Sequence, residues 1–200
     1  MAIDRADLLQ PFRIGAGCGL AHLDLDGGGD EDAIDPIIRK EKIVDVPQRP
    51  MQMRLGSAAE SAASPAPHFL PAPLVGNTGQ QGTFVLPLGN PAAGDKAAQY
   101  DDFNFGSAAW TLSAHEGRPG HELQFTAMVE RGVSLARSMF AFNSVNVEGW
   151  ALYAERLAWE EGFQSQPLDN LGRLQAEMFR AVRLVVDTGM HDQRWTREQA

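Results

Sequence analysis

Cysteine is almost missing from this chain. Cys18 stands alone among 200 residues, which excludes an intrachain disulfide framework and a thiolate zinc cage. A solitary cysteine reads as a small apolar residue rather than a nucleophile. Long apolar runs are also absent: no stretch approaches the roughly 18 residues of a membrane span. The start, MAIDRADLLQPFRIG, has no basic region followed by an apolar one. No signal peptide is therefore expected, and the chain reads as cytoplasmic. Positive charge is scarce, with 17 Lys and Arg against 26 Asp and Glu, a net charge of −9. Nucleic acid calls for a concentrated basic surface and is not an expected partner. The one basic cluster, IIRKEK, contains a glutamate and reads as a solvated face.

What is present is ordinary for a soluble globular chain: 44% hydrophobic and 22% charged residues. The length suits one domain with a sizeable core. Composition splits the chain in two, residues 1–106 rich in Gly, Pro and Ala and residues 107–200 helical in pattern, and the first part is read as two stretches. Residues 1–40 carry no assignable element, and their DLDGGGDEDAID is an acidic, glycine-rich run. Its Asp and Gly positions do not follow the order of a calcium loop, so a flexible surface turn is expected. Residues 41–106 read as strands and loops. KIVDVPQRPMQMRL suits two short strands around a Pro-containing turn. AAESAASPAPHFLPAP reads as an irregular connector. GTFVLPL, residues 82–88, is β-rich, with Pro87 confining it to a sheet edge or a strand end. An edge strand there would accept an extended peptide by strand addition.

Residues 107–200 are helical in pattern. A first helix is expected from Ser107 to near Gly132, a second over about Val147–Glu161 and a third over about Asp169–Asp187. Leu171, Leu174, Met178, Val182 and Val185 fall at helical spacing in the third. TREQ, Thr196 to Gln199, has the capping-box pattern that opens a helix. A helix announced so near the last residue suggests a fragment.

The first helix carries SAHEGRPGHELQ, in which His115 and Glu116 precede His121. A hydrolytic zinc site needs three protein ligands, an open position and a base. Histidines four apart on a helix face the same way; six apart, they are turned by about 240°. Pro119 and Gly120 change that geometry. Proline removes a donor and crowds the carbonyl four residues back, and glycine tolerates unusual angles. A break that loops out two residues would return His121 over His115. The alternative is a polar turn that happens to contain two imidazoles.

The second helix, VEGWALYAERLAWEE, is apolar nearly all round and is expected to be buried, yet it carries Glu148 and Glu155 on nearly one face. Unpartnered buried carboxylates are costly. A metal on Glu148, with Glu155 holding a ligand's free N–H, would resolve that cost. Pairing with Arg131, Arg137, Arg180 or Arg183 would resolve it equally well. In the third helix Arg183 and Asp187 can pair across one turn. His191, just beyond, either contacts a substrate oxyanion or carboxylate or is simply exposed. His22, in HLD, is a weak half of an iron motif. Glu-x-x-His pairs for a di-iron bundle are absent.

HEGRPGH, NSVNVEGWALYAE, FRAVRLVVDTGMH and WTREQA, in that order, resemble the bacterial domain of unknown function 885 family. That family looks like a distant branch of the gluzincin metallopeptidases, near the thermostable carboxypeptidase group. The resemblance is specific over about Ala108 to Ala200 and looser upstream. It implies His115, His121 and Glu148 as ligands of one Zn2+ and Glu116 as general base. It further implies Glu155 behind the ligands, and Tyr153 and His191 as transition-state contacts. Iron or manganese on the same ligands is an open alternative. The fold implied is α+β and predominantly helical: a zincin-like helix pair, a third helix and a small sheet upstream. The function implied is a zinc-dependent peptidase acting on a peptide substrate, with an exopeptidase as the narrower expectation. The alternative is an inactive truncated remnant or a non-enzymatic binding module of that fold.

Overall fold

The computed structural model describes residues 31–42, 44–64, 66–87, 106–163 and 166–200. Cys18, His22 and most of the glycine-rich acidic run lie outside the described residues. The fold is α+β and mostly helical. Its elements are α1 (Glu31–Glu41), β1 (Gln52–Leu55), α2 (Ala58–Ala63), β2 (His68–Leu70), β3 (Thr83–Leu86), α3 (Gly106–Glu116), α4 (His121–Arg131), α5 (Leu135–Phe140), α6 (Ser144–Glu160) and α7 (Pro167–His191).

The sheet has the order β1-β3-β2. β3 runs parallel to β1, with Gln52 opposite Thr83, and antiparallel to β2, with Phe69 opposite Phe84. Phe84, Val85 and Leu86 are all buried, as suits a strand covered on both faces. Of the two placements open to Pro87, the strand end is the one found, and the edge placement is corrected. β3 is central, both its backbone edges are paired, and Pro87 lies just past its end, so strand addition there is excluded. Of the two strands expected in KIVDVPQRPMQMRL, only the second is seen among the described residues. The connector expected to be irregular contains α2 and β2. Ser57 and Glu60 close a reciprocal capping box at the start of α2, which reading the segment as Pro-rich overlooked. α1 occupies the end of the run expected to be a turn; its Ile38 is fully buried against Val46 and Leu123.

α3 lies against both α6 and α7. α7 approaches α3 at Gly172, where a Cβ would stand 2.0 Å from the Ser107 carbonyl oxygen. α6 offers Ala151, Ala154 and Ala158 as a small, buried face. Glu155 is buried on the same side, whereas Leu152, Tyr153 and Trp159 are exposed. The helix is therefore buried along one face, not all round, because small residues every three to four positions select that face for close packing. The apolar stripe of α7 (Leu171, Leu174, Met178, Val182 and Val185) is likewise exposed. α7 meets α3 through other positions, Gly172 among them. No helix among the described residues is long and apolar enough to cross a membrane.

Candidate metal centre

The expected first helix is two helices. α3 ends at Glu116 and α4 begins at His121, with Gly117, Arg118, Pro119 and Gly120 between them. The backbone ladder widens here: Gly117 N–H still reaches Ser113 O, but the Gly117 carbonyl is taken by Glu122 N–H, five residues on. Gly120 turns against the end of α3 so closely that a Cβ would lie 2.0 Å from the His115 carbonyl oxygen. Only glycine fits there. Trp150 of α6 donates its indole N–H to the Pro119 carbonyl at 3.0 Å, with the Gly120 carbonyl at 3.2 Å. One side chain thus satisfies carbonyls exposed by the break and docks α6 onto it.

Arg118 holds the break from the other side. It is buried, donates to Asp35 Oδ2 at 2.6 Å and to the Arg49 carbonyl at 2.7 Å, and is paired with Glu122. Sequence reasoning missed this arginine. A signal is present in the sequence, since Arg118 in the break and Glu122 at the start of α4 are four apart, but Asp35 falls in the run expected to be a surface turn.

The break brings the two imidazoles edge to face, with centroids 4.8 Å apart and planes at 88°. Glu148, in the first turns of α6, meets both. Its Oε2 is 3.4 Å from His115 Nε2 and 3.7 Å from His121 Nε2. One ligand atom from each of the three lies within 4.8 Å of the other two. Tetrahedral ligands about 2 Å from one ion would stand roughly 3.3 Å apart, and the 3.4 and 3.7 Å from Glu148 to the two histidines are close to that spacing. Two imidazoles and a carboxylate form a donor set suited to a divalent transition metal. Glu148 is not the buried carboxylate expected: its side chain is 59% exposed, at the mouth of the cleft.

Glu155 is the buried one. Its Oε1 lies 2.6 Å from His115 Nδ1, its Oε2 accepts from Thr111 Oγ1 at 2.7 Å, and Arg180 pairs with it at 2.8 Å. Of the two resolutions offered by the sequence, the pairing with an arginine is seen at Glu155, through Arg180, and the same carboxylate also meets the ring N of His115. Arg131 instead meets Asp45.

The electrostatics follow from these contacts. Burial pushes the His115 pKa down, but hydrogen bonds to Glu148 and Glu155 and the charges of Glu116 and Glu155 outweigh it, raising it to about 9. Burial lowers the His121 pKa, with the neighbouring His115 charge in the same direction. The hydrogen bond from His115 lowers that of Glu148. Burial raises Glu155, but His115, Arg180 and Thr111 reverse the shift and hold it low. Glu116 goes the other way: burial pushes it up to about 6, against the opposing pull of His115 and the Phe69 N–H. Glu116 Oε2 accepts from that N–H, on strand β2, at 2.9 Å.

A cavity of about 440 Å³ opens beside the cluster, with His115, Glu116 and Glu148 on one side and Phe179, Arg180 and Arg183 of α7 on another. Tyr153 and His191 do not join it. Tyr153 is five residues from Glu148, about 140° round α6, and its exposed ring rests near Trp150. His191, 75% exposed, pairs with Asp187 at 3.2 Å. Asp187 is therefore not the partner of Arg183, whose guanidinium lies over Phe179 at 5.9 Å from its centroid.

Comparison with known proteins agrees with this fold. A solved candidate lipoprotein from Colwellia psychrerythraea is 31% identical with TM-score 0.62, over 86% of this chain and 29% of that one. A solved candidate lipoprotein of unknown function from Shewanella oneidensis is 22% identical with TM-score 0.66, over 92% of this chain and 32% of that one. The chain thus spans about a third of the length of these relatives. Their description as lipoproteins overturns the expectation of a cytoplasmic location, which rested only on the lack of a recognisable signal at the start of the sequence. Among curated proteins, none matches. Residues 30–200 match the family described as bacterial protein of unknown function DUF885, and the chain belongs to that family.

Proposed function

We propose that this chain carries the metal centre of a zinc-dependent peptidase related to the gluzincins. The observation that supports this reading most is the convergence of His115 Nε2, His121 Nε2 and Glu148 Oε2 beside a cavity that is also lined by the half-buried Glu116. His115, His121 and Glu148 would hold the ion, with Glu155 fixing the tautomer and direction of His115. When bound, zinc supplies Lewis acidity to a carbonyl and acidifies water. Glu116 accepts the proton of the attacking water at its carboxylate and delivers it to the departing amine. A carboxylate raised to about 6 is poised for both halves of that transfer. Iron or manganese on the same ligands would serve the same residues. The lipoprotein description of the solved relatives supports an exported, membrane-attached setting for the whole protein.

Glu116→Gln separates this reading from its alternative. A peptidase keeps its zinc in this variant and loses hydrolysis of a peptide mixture by roughly 10²-fold or more. Zinc binding with no hydrolysis by the unaltered chain favours a non-catalytic binding module, and no zinc binding favours an inactive remnant.

A further inference from the structure

The cavity beside the cluster is charged in two senses. Glu116 and Glu148 lie at its metal side, while α7 brings Arg180 and Arg183 to the opposite wall. The two arginines differ in their commitments. Arg180 is held by Glu155, through Nη2 to Oε1 at 2.8 Å and Nη1 to Oε2 at 3.1 Å. Arg183, one turn further along the same face, has no carboxylate within ion-pair distance among the described residues. Its guanidinium lies over the ring of Phe179, another residue of the cavity wall. That contact steadies the side chain without using its hydrogen-bond donors.

We infer that Arg183 is the anchor for a substrate carboxylate, and that the substrate is a peptide or acylated amino acid with a free carboxyl terminus close to the cleaved bond. This inference rests on the peptidase reading and specifies the substrate of that site. A guanidinium offers a planar fork matched to a carboxylate, and a cavity wall is where such a fork selects one end of a ligand. The volume, about 440 Å³, lies in the range of small-ligand pockets, roughly 300–1,000 Å³. Met178, Phe179 and Leu112 supply apolar surface for a side chain between the charged ends.

The test uses the full chain loaded with zinc and carrying Glu116→Gln, so that ligand survives. Binding of N-acetyl-alanyl-phenylalanine is compared with that of its C-terminal amide by titration calorimetry. The acid is expected to bind about tenfold or more tighter than the amide. Arg183→Met, added to this protein, should bring the two within about twofold while the zinc content stays the same. Arg183→Lys should restore part of the preference. Equal binding of acid and amide, binding of neither, or a preference that survives Arg183→Met overturns the inference. Zinc content, measured separately by elemental analysis, reports on the metal reading. A chain without zinc that still prefers the acid through Arg183 keeps the anchor and loses the peptidase.

Discussion

His115 and Glu155, on different helices, face each other with Nδ1 and Oε1 2.6 Å apart, both buried. The contact leaves Nε2 of the same ring directed toward Glu148. Carboxylates in this position behind a ligating histidine typically contribute 10–100-fold to metal affinity. Glu155→Gln is therefore expected to weaken zinc binding by about that factor, measured by competition with a chromophoric chelator. Glu160→Gln, an exposed change on the same helix, should leave the affinity alone. Equal affinities for Glu155→Gln and the unaltered chain would remove Glu155 from the metal centre.

Proton and metal compete for His115. Without metal its pKa is about 9, so at pH 7 the ring is charged. Zinc needs a neutral imidazole, and its uptake at pH 7 should release a proton. Apparent affinity should then rise with pH up to about 9, by about tenfold per pH unit, and flatten above. Calorimetry in buffers of different ionisation heat counts the proton. The metal-free protein should behave in the opposite way. A histidine pKa raised on folding stabilises below the unfolded value of about 6.5, and that stabilisation is lost as pH rises through about 9. The Tm of chelator-treated protein should fall across that window, and His115→Gln should flatten the fall.

The break between α3 and α4 depends on Gly120 and Trp150. Gly120→Ala places a Cβ 2.0 Å from the His115 carbonyl oxygen, a clash with backbone that the helix ends must open to relieve. A loss of about 3 kcal/mol of stability is expected, read by urea denaturation, together with loss of zinc binding. Trp150→Phe keeps the ring and removes the indole N–H that reaches Pro119 and Gly120. Its cost should be smaller, about 1 kcal/mol. An unchanged zinc affinity in Gly120→Ala would show that the closeness of the turn does not set the ligand geometry.

Local sequence carried the outline of this site. Pro119 and Gly120 inside a helical pattern announced a break, and the two-residue surplus between His115 and His121 matched what a break can absorb. Glu155 was legible as a buried carboxylate needing partners. What the sequence hid was set by tertiary packing. The burial of Glu148 was overestimated because apolar residues all round α6 concealed which face its alanines would choose. Tyr153 and His191 fell away because helix phase places both side chains outward. The pair Arg118–Glu122 was legible as a spacing of four, but the second partner of Arg118, Asp35, lies far away in the chain. Pro87 allowed β3 to be an edge strand, and the neighbour that makes it central, the three-residue β2, is too short and too close to prolines to register as a strand. The pairing of Arg183 with Asp187 was a sound helical spacing; Asp187 meets His191 instead.

The most direct measurement is zinc-edge X-ray absorption on the purified chain loaded with one equivalent of zinc. Two imidazoles and an oxygen donor from protein are expected, at about 2.0–2.1 Å. One imidazole should be lost in His115→Ala and one in His121→Ala, and the spectrum should change in Glu148→Ala. A spectrum with no imidazole scattering, or one that none of the three substitutions alters, would contradict the metal centre.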